Sequence, residues 1–225
     1  MPRGYRKDGQ PHKIRRVALL GFGDPGAFDP HESKRHSAWE CWGANYAPRW
    51  TEERGVKWSR FYQLHPWETA DPYEIAWAKW CRKNHIPVYV FWPHHTQWKQ
   101  HATAWVTKAY PYTNIRSTFL WKGRGRRHVH DGFFASSWSY MVAHALYEGV
   151  AEVGLFGVRL LDGSPRERLV EYPALLWWLG VAHGQGVQVT IQQGSDLMAY
   201  PHLYGRDYIE EVEWVRKRVR HLSLR

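Results

Sequence analysis

The sequence predicts an α/β protein, a single three-layer α/β/α domain built on a mainly parallel sheet. Three observations carry that prediction. Apolar or aromatic runs of strand length recur at 17–22, 39–44, 58–65, 86–92, 153–158 and 187–191. Segments with helical spacing or helix caps stand between several of them. Helical segments return to apolar strands, the alternation that builds a parallel sheet covered on both faces. At 225 residues the chain suits one domain with a short appendage, and that length buries a sizeable core unaided.

Residues 1–13 (MPRGYRKDGQPHK) are polar, basic and rich in Gly and Pro, and read as a flexible leader. The run VALLGF at 17–22 is a continuous apolar strand that leads into the turn cluster GFGDPG. WECWGA (39–44) and WSRFYQLH (58–65) are short strands enriched in aromatics. Between Ala70 and Asn84 the spacing of Tyr73, Ile75, Ala76, Trp77, Trp80 and Cys81 predicts a helix, with Asp71-Pro72 as its N-cap and first-turn pair. IPVYVFW (86–92) is the next strand. Thr96 to Lys108 reads as a helix and Gly123 to His130 as a loop, and the stretch 93–131 suits a lid insertion that closes on substrate. SSWSYMVAHALYEG (136–149) is a helix capped by Ser136 or Ser137 and stopped by Gly149. VGLFGV (153–158) is a strand, 169–186 a largely buried helix, and VQVTI (187–191) another strand. Residues 14–206 thus form the domain, followed by a basic C-terminal helix at 207–225.

Lys plus Arg total 31 against 21 Asp plus Glu, a net charge of +10 that favours nucleotides, nucleic acid or another polyanion as partners. The 15 Trp, with 13 Tyr and 8 Phe, fill a core or stack on bases and sugars. No apolar run approaches the ~20 residues of a membrane span. The N-terminus lacks the apolar stretch of a secretory signal, and Cys41 and Cys81 make no disulfide framework. A soluble, cytoplasmic protein is expected.

In parallel α/β sheets ligands bind at the carboxyl ends of the strands, near a topological switch point. Three loops qualify: Gly21–Gly26, Gly43–Pro48 and the entry to the 136–149 helix. The glycines of the first either admit a ligand close to the backbone or make a plain tight turn. At the third, Ser136 and Ser137 sit where a helix N-terminus attracts phosphate or carboxylate, or they serve as caps alone. His65, at a strand end, is a candidate general base. Glu171 and Tyr172, at a helix start, are a capping pair or an active-site pair. His94–His95 and His128–His130 lack companion ligands at metal-binding spacing, so no metal is expected. Arg124, Arg126 and Arg127, separated by Gly125 and preceded by Lys122, are a solvated face or a flexible grip on phosphates, including those of nucleic acid.

The order of these segments resembles a known pattern. A strand leads into G-x-G-D-P, W-G-A-N-Y follows about twenty residues later, and A-S-S-W-S-Y-M-x-x-x-A-L-x-E-G precedes E-V-G-L-F-G-V. This layout is similar to that of uncharacterised bacteriophage proteins and, more distantly, to bacterial sialyltransferases and motility-associated glycosyltransferases. The resemblance implies a Rossmann-like domain whose donor nucleotide contacts Gly21, Gly23, Asn45, Ser136 and Ser137, with Gly157 to Arg159 beneath it and Glu171 and Tyr172 nearby. Asp24-Pro25 stands where that family has Pro-Ser, and Arg159 where it has an acidic residue. The family's catalytic histidine maps to neither His65 nor His183 uniquely. The function implied is a glycosyltransferase that takes a nucleotide-activated sugar as substrate, needs no separate cofactor, and acts on phage nucleic acid or a surface glycan. The alternative is a non-catalytic nucleic-acid-binding phage protein on the same fold. An enzyme of free nucleotides or pterins would need magnesium carboxylates, and Asp24, Asp29 and Asp131 are scattered.

Overall fold

A computed structural model describes residues 15–30, 39–103, 106–119, 133–160 and 164–198. The leader at 1–13, the helix expected at 207–225 and residues 104–105 and 120–131 of the 93–131 stretch lie outside the described residues.

Seven parallel strands form one sheet. They are β1 (Arg16–Leu20), β2 (Glu40–Ala44), β3 (Trp58–Gln63), β4 (Val88–Val90), β5 (Thr107–Ala109), β6 (Glu152–Phe156) and β7 (Gln188–Ile191), in the order β5-β4-β3-β2-β1-β6-β7. The predicted α/β class and parallel sheet are therefore present. The helices are α1 (Trp50–Glu53), α2 (Pro72–Lys83), α3 (His95–Trp98), α4 (Tyr112–Phe119), α5 (Ser137–Tyr147) and α6 (Tyr172–Gly184). Every residue of β1 and β6 is buried, as expected of central strands covered on both faces. Successive β1 side chains divide between the faces. Val17 and Leu19 join Met141, Val142, Ala145, Leu175 and Trp178 from α5 and α6, whereas Ala18 and Leu20 pack with Phe28, Trp39 and Phe156. Ala78 and Cys81 of α2 cover Phe61, Val88 and Val90 on that second face.

Two elements differ from expectation. The helix expected over 96–108 ends at Trp98, continues as a π-helical turn (Lys99–Thr103), and gives way to β5. That strand has three residues and pairs only with β4, so its state is set by a neighbouring ladder and not by its own hydrophobic period. The helix expected from residue 169 begins at Tyr172, because a π-helical turn (Glu167–Glu171) precedes it and leaves Leu169 and Val170 exposed. Among the described residues no helix is long and apolar enough to cross a membrane.

The amino edge of the sheet carries a half-buried charge network. Glu148, just after α5, accepts from Arg60 of β3 at 2.8 and 3.1 Å and from Arg15 at 3.0 Å. Arg15 also binds Glu40 at 2.8 and 2.9 Å, and the Arg60 guanidinium lies 4.0 Å over the Trp42 ring. His144 Nε2 stands 3.2 Å from Glu148, and its Nδ1 is 2.8 Å from the Tyr62 hydroxyl. Burial raises the Glu148 carboxyl, but the hydrogen bonds from His144 and Arg60 outweigh it and hold the group well below the usual carboxylate range. Glu148→Gln is expected to cost about 2–4 kcal/mol in urea unfolding at neutral pH, since Arg60 and Arg15 lose their common acceptor. A carboxylate depressed in the folded state stabilises fully above its unfolded pKa and ceases to do so as pH falls through the folded one. The gap between wild type and variant should accordingly narrow on acidification below the ordinary carboxylate range.

Candidate functional site

The switch point lies between β1 and β6, whose following connections leave in opposite directions. It is closed by backbone. Gly21 N–H donates to the Phe156 carbonyl and Gly23 N–H to the Gly157 carbonyl, both at 2.8 Å. A Cβ on Gly21 would stand 2.3 Å from the Gly157 oxygen, and one on Gly157 (φ +69°) 2.6 Å from the Gly23 oxygen. These glycines serve the contact of two loops, their N–H groups are taken up there, and neither of the two expected nucleotide contacts, Gly21 and Gly23, lines the polar cavity that opens beside them. The Trp50 indole further ties down the Gly21 carbonyl at 3.0 Å.

The polar cavity, of about 460 Å³, opens beside this seal, over the carboxyl ends of β1 to β3. Phe22 follows β1, Asn45 follows β2, Leu64 and His65 follow β3, Ser136 and Ser137 begin α5, and Arg166, Glu167 and Glu171 close the far side. Of the expected site residues, Asn45, His65, Ser136, Ser137 and Glu171 thus meet in one place. Tyr172 does not line the cavity: its hydroxyl donates to the Leu197 carbonyl at 2.9 Å and its ring packs against the core. His183 is a correction of a different kind. It lies in the last turn of α6, a crossover that runs back to the start of β7, so it sits exposed at the opposite edge of the sheet. Arg124, Arg126 and Arg127 lie outside the described residues.

Each wall has a local cause. Ser136 is an N-cap whose hydroxyl accepts from Ser139 N–H at 3.2 Å, so its oxygen is engaged in starting the helix. Ser137, half-buried at the first helical position, stands beside the unsatisfied N–H groups of that turn. Asn45 takes a left-handed backbone (φ 63°), which Asn tolerates better than most residues. Its N–H donates to the Tyr62 carbonyl at 2.9 Å, its carbonyl accepts from the Gln63 amide, and its Oδ1 is buried with no partner among the described residues. A buried acceptor left so costs about 1–3 kcal/mol unless a ligand or water satisfies it.

His65 is held by a residue that the sequence reading passed over. Its Nδ1 lies 2.8 Å from Glu74 Oε1, and Glu74 is 3% exposed. Glu74 is also the N3 partner of a capping box: its Oε2 accepts from Asp71 N–H at 3.1 Å while Asp71 Oδ1 accepts from Glu74 N–H at 2.8 Å. One carboxylate therefore starts α2 and orients the imidazole. The hydrogen bond that His65 donates to Glu74 raises the His65 pKa above the ordinary histidine value, against partial burial and the nearby Arg166 charge. Arg166 pairs with Glu171 and also donates to the Ala135 carbonyl at 3.3 Å. Burial raises the Glu171 carboxyl, opposed by Arg166. The spacing of Asp71 and Glu74 betrayed the capping box, but nothing local links Glu74 to His65.

Among the described residues no group of three or more His, Cys, Asp or Glu is placed to hold a metal ion. Both cysteines are buried, and burial pushes the Cys41 thiol up to about 12. Replacing Glu74 by Gln should lower the His65 pKa, followed by the imidazole proton shifts in an NMR pH titration, and an unchanged titration would remove Glu74 as the orienting group.

No protein-family model matches the chain, and no curated protein matches it either. Among solved structures it is similar to the sialyltransferase CstII of Campylobacter jejuni in complex with a substrate analogue, cytidine-5'-monophosphate, at 12% identity over 82% of each chain and a TM-score of 0.50. Two further CST-II structures, one with a trisaccharide acceptor and CMP and one of a point variant with CMP, are 11% identical. They cover 79% of this chain and 80% and 81% of their own, with TM-scores of 0.45 and 0.48. At such identity the likeness is one of fold, and the chain has a Rossmann-type α/β fold similar to that glycosyltransferase.

Proposed function

We propose that this protein is a glycosyltransferase that binds a nucleotide-activated sugar in the polar cavity and transfers the sugar to an acceptor hydroxyl. The observation that carries this reading is the convergence on one cavity of the α5 N-terminus, a buried Asn45 oxygen with no partner among the described residues and a histidine backed by a carboxylate. The fold shared with a sialyltransferase that binds CMP supports it.

In this mechanism the first-turn N–H groups of α5, the Ser137 hydroxyl and Arg166 hold the donor phosphate, the helix end contributing about half a positive charge. Asn45 Oδ1 accepts from a ribose hydroxyl or base amine. The Glu74 carboxylate accepts from Nδ1–H of His65, which leaves Nε2 as the basic nitrogen of the neutral ring. As the acceptor oxygen forms its bond to the anomeric carbon, the bond from that carbon to the phosphate oxygen breaks. Nε2 takes the hydroxyl proton, and the nucleotide leaves with the electron pair on its phosphate, where α5 and Arg166 stabilise the new charge. The nucleic-acid-binding alternative rests on the net charge and on Arg124, Arg126 and Arg127, which the described residues do not include.

A thermal-shift panel of CMP, UDP, GDP, ADP and their sugar conjugates should give a selective shift, about 2.7 kcal/mol for a ligand at a hundred times its Kd. Asn45→Ala should abolish the shift. No shift with any nucleotide would overturn the reading. With the donor known, His65→Ala should keep the shift while turnover falls by about 10²–10⁴. Because His65 must be neutral to act and its pKa is raised, the wild-type rate should climb with pH through a midpoint above 6.5.

A further inference from the structure

A second cavity, also of about 460 Å³, lies at the same carboxyl edge but over the outer strands. Phe91, Trp92 and Pro93, which follow β4, form one side, and Tyr110, Tyr112, Thr113 and Asn114, which follow β5, form the other. Most large aromatics among the described residues are covered, but Trp92 is 68% exposed at this cavity. Its neighbours are held in place. Phe91 meets Tyr112 edge-on at 5.5 Å and Tyr140 at 5.9 Å, and the Tyr110 hydroxyl donates to the Tyr140 carbonyl at 2.8 Å. The exposed indole of Trp92 lines the cavity beside this aromatic frame and offers a flat apolar face, and Thr113 and Asn114 supply the few polar groups that orient a ligand on it.

Two observations say what kind of ligand. Among the described residues that line it none carries a charge, and the Arg116 guanidinium stands 6.0 Å over the Tyr112 ring. Sites for single-stranded nucleic acid combine stacking rings with cations for the backbone, so this cavity suits a neutral ring compound. It also adjoins the polar cavity, because Phe134 and Tyr140 line the latter while their rings contact Tyr112 and Tyr110, Phe91 respectively, at 5.0–5.9 Å.

We infer that the cleft of Phe91, Trp92, Tyr110 and Tyr112 is a carbohydrate-binding subsite in which the apolar face of a neutral sugar ring stacks on Trp92 and its hydroxyls meet Thr113 and Asn114. On the transferase reading it holds the part of a neutral glycan acceptor that lies beyond the reacting hydroxyl. Binding there needs neither donor nor turnover.

The test is ligand-observed NMR of the full chain with lactose, maltose and cellobiose, at concentrations that detect a Kd of about 1 mM. Saturation transfer to the ring C–H protons of at least one disaccharide is expected. Trp92→Ala, at an exposed position that leaves folding intact, should weaken that binding about tenfold. Asn114→Ala should weaken it less, and Asn45→Ala, in the other cavity, should leave it unchanged. The inference is overturned if no disaccharide binds, if Trp92→Ala binds as wild type does, or if an oligo-dT strand displaces the sugar. The nucleotide shift serves as the independent control. Lost sugar binding with an intact nucleotide shift sinks this subsite alone, whereas sugar binding without any nucleotide shift sinks the transferase reading and leaves the subsite.

Discussion

The ion pair between Arg60 and Glu148 joins the middle of β3 to the end of α5, and the position of that helix governs both ends of the molecule. Eleven helical residues make a rod of about 16 Å, so what fixes one end fixes the other. At the amino edge Glu148 ties the rod to β3 and, through Arg15, to the start of β1. At the carboxyl edge the same rod presents Ser136, Ser137 and Tyr140 to the polar cavity. The network is stabilising because it is complete. Glu148 has three cationic or hydrogen-bonding partners, and Arg60 gains the Trp42 ring besides.

The second constraint is the seal at the switch point. In an open parallel sheet the diverging loops leave a crevice that ligands commonly occupy. Here Gly21, Gly23 and Gly157 bring the two backbones into direct hydrogen-bonded contact, and at Gly21 and Gly157 only a residue without a Cβ allows it. The open space is thereby shifted toward β2 and β3, and the residues there include Asn45 with its left-handed backbone and His65 with its buried carboxylate partner. The capping box that starts α2 is part of the same arrangement, since the residue that satisfies the helix end also aims the histidine.

The aromatics divide between two tasks. Trp42, Trp98, Trp178, Tyr62 and Phe61 are fully buried and fill the layers on either side of the sheet. Around the carboxyl edge, rings that follow β4 and β5 interlock with one another and with Tyr140 of α5, mostly edge to face, and this gives two adjoining cavities walls of fixed shape. Edge-to-face contacts set geometry as well as area, so the frame resists collapse where a cavity lined by flexible side chains would close.

Local pattern determined much of this protein. The apolar runs, the caps at Asp71 and at Ser136 or Ser137 and the helix-to-strand alternation are short-range signals, and they were sufficient for the α/β class, the parallel sheet and the edge at which the polar cavity opens. They were sufficient also to nominate His65, Ser136, Ser137 and Glu171, because each stands at the end of a strand or the start of a helix, whereas Asn45 came from the resemblance to the sialyltransferase pattern. Tertiary structure decided the rest. A three-residue edge strand has no period of its own and exists only through its partner, which is why β5 was hidden inside an apparent helix. His183 and His65 look alike in sequence; only the direction of α6 puts one at the far edge and the other in the cavity. Glu74 meets His65, and Gly157 meets Gly21, by contacts that follow from strand order and loop path. Such pairings join residues whose separation along the chain carries no periodic signal, so they are fixed when the sheet assembles and not before.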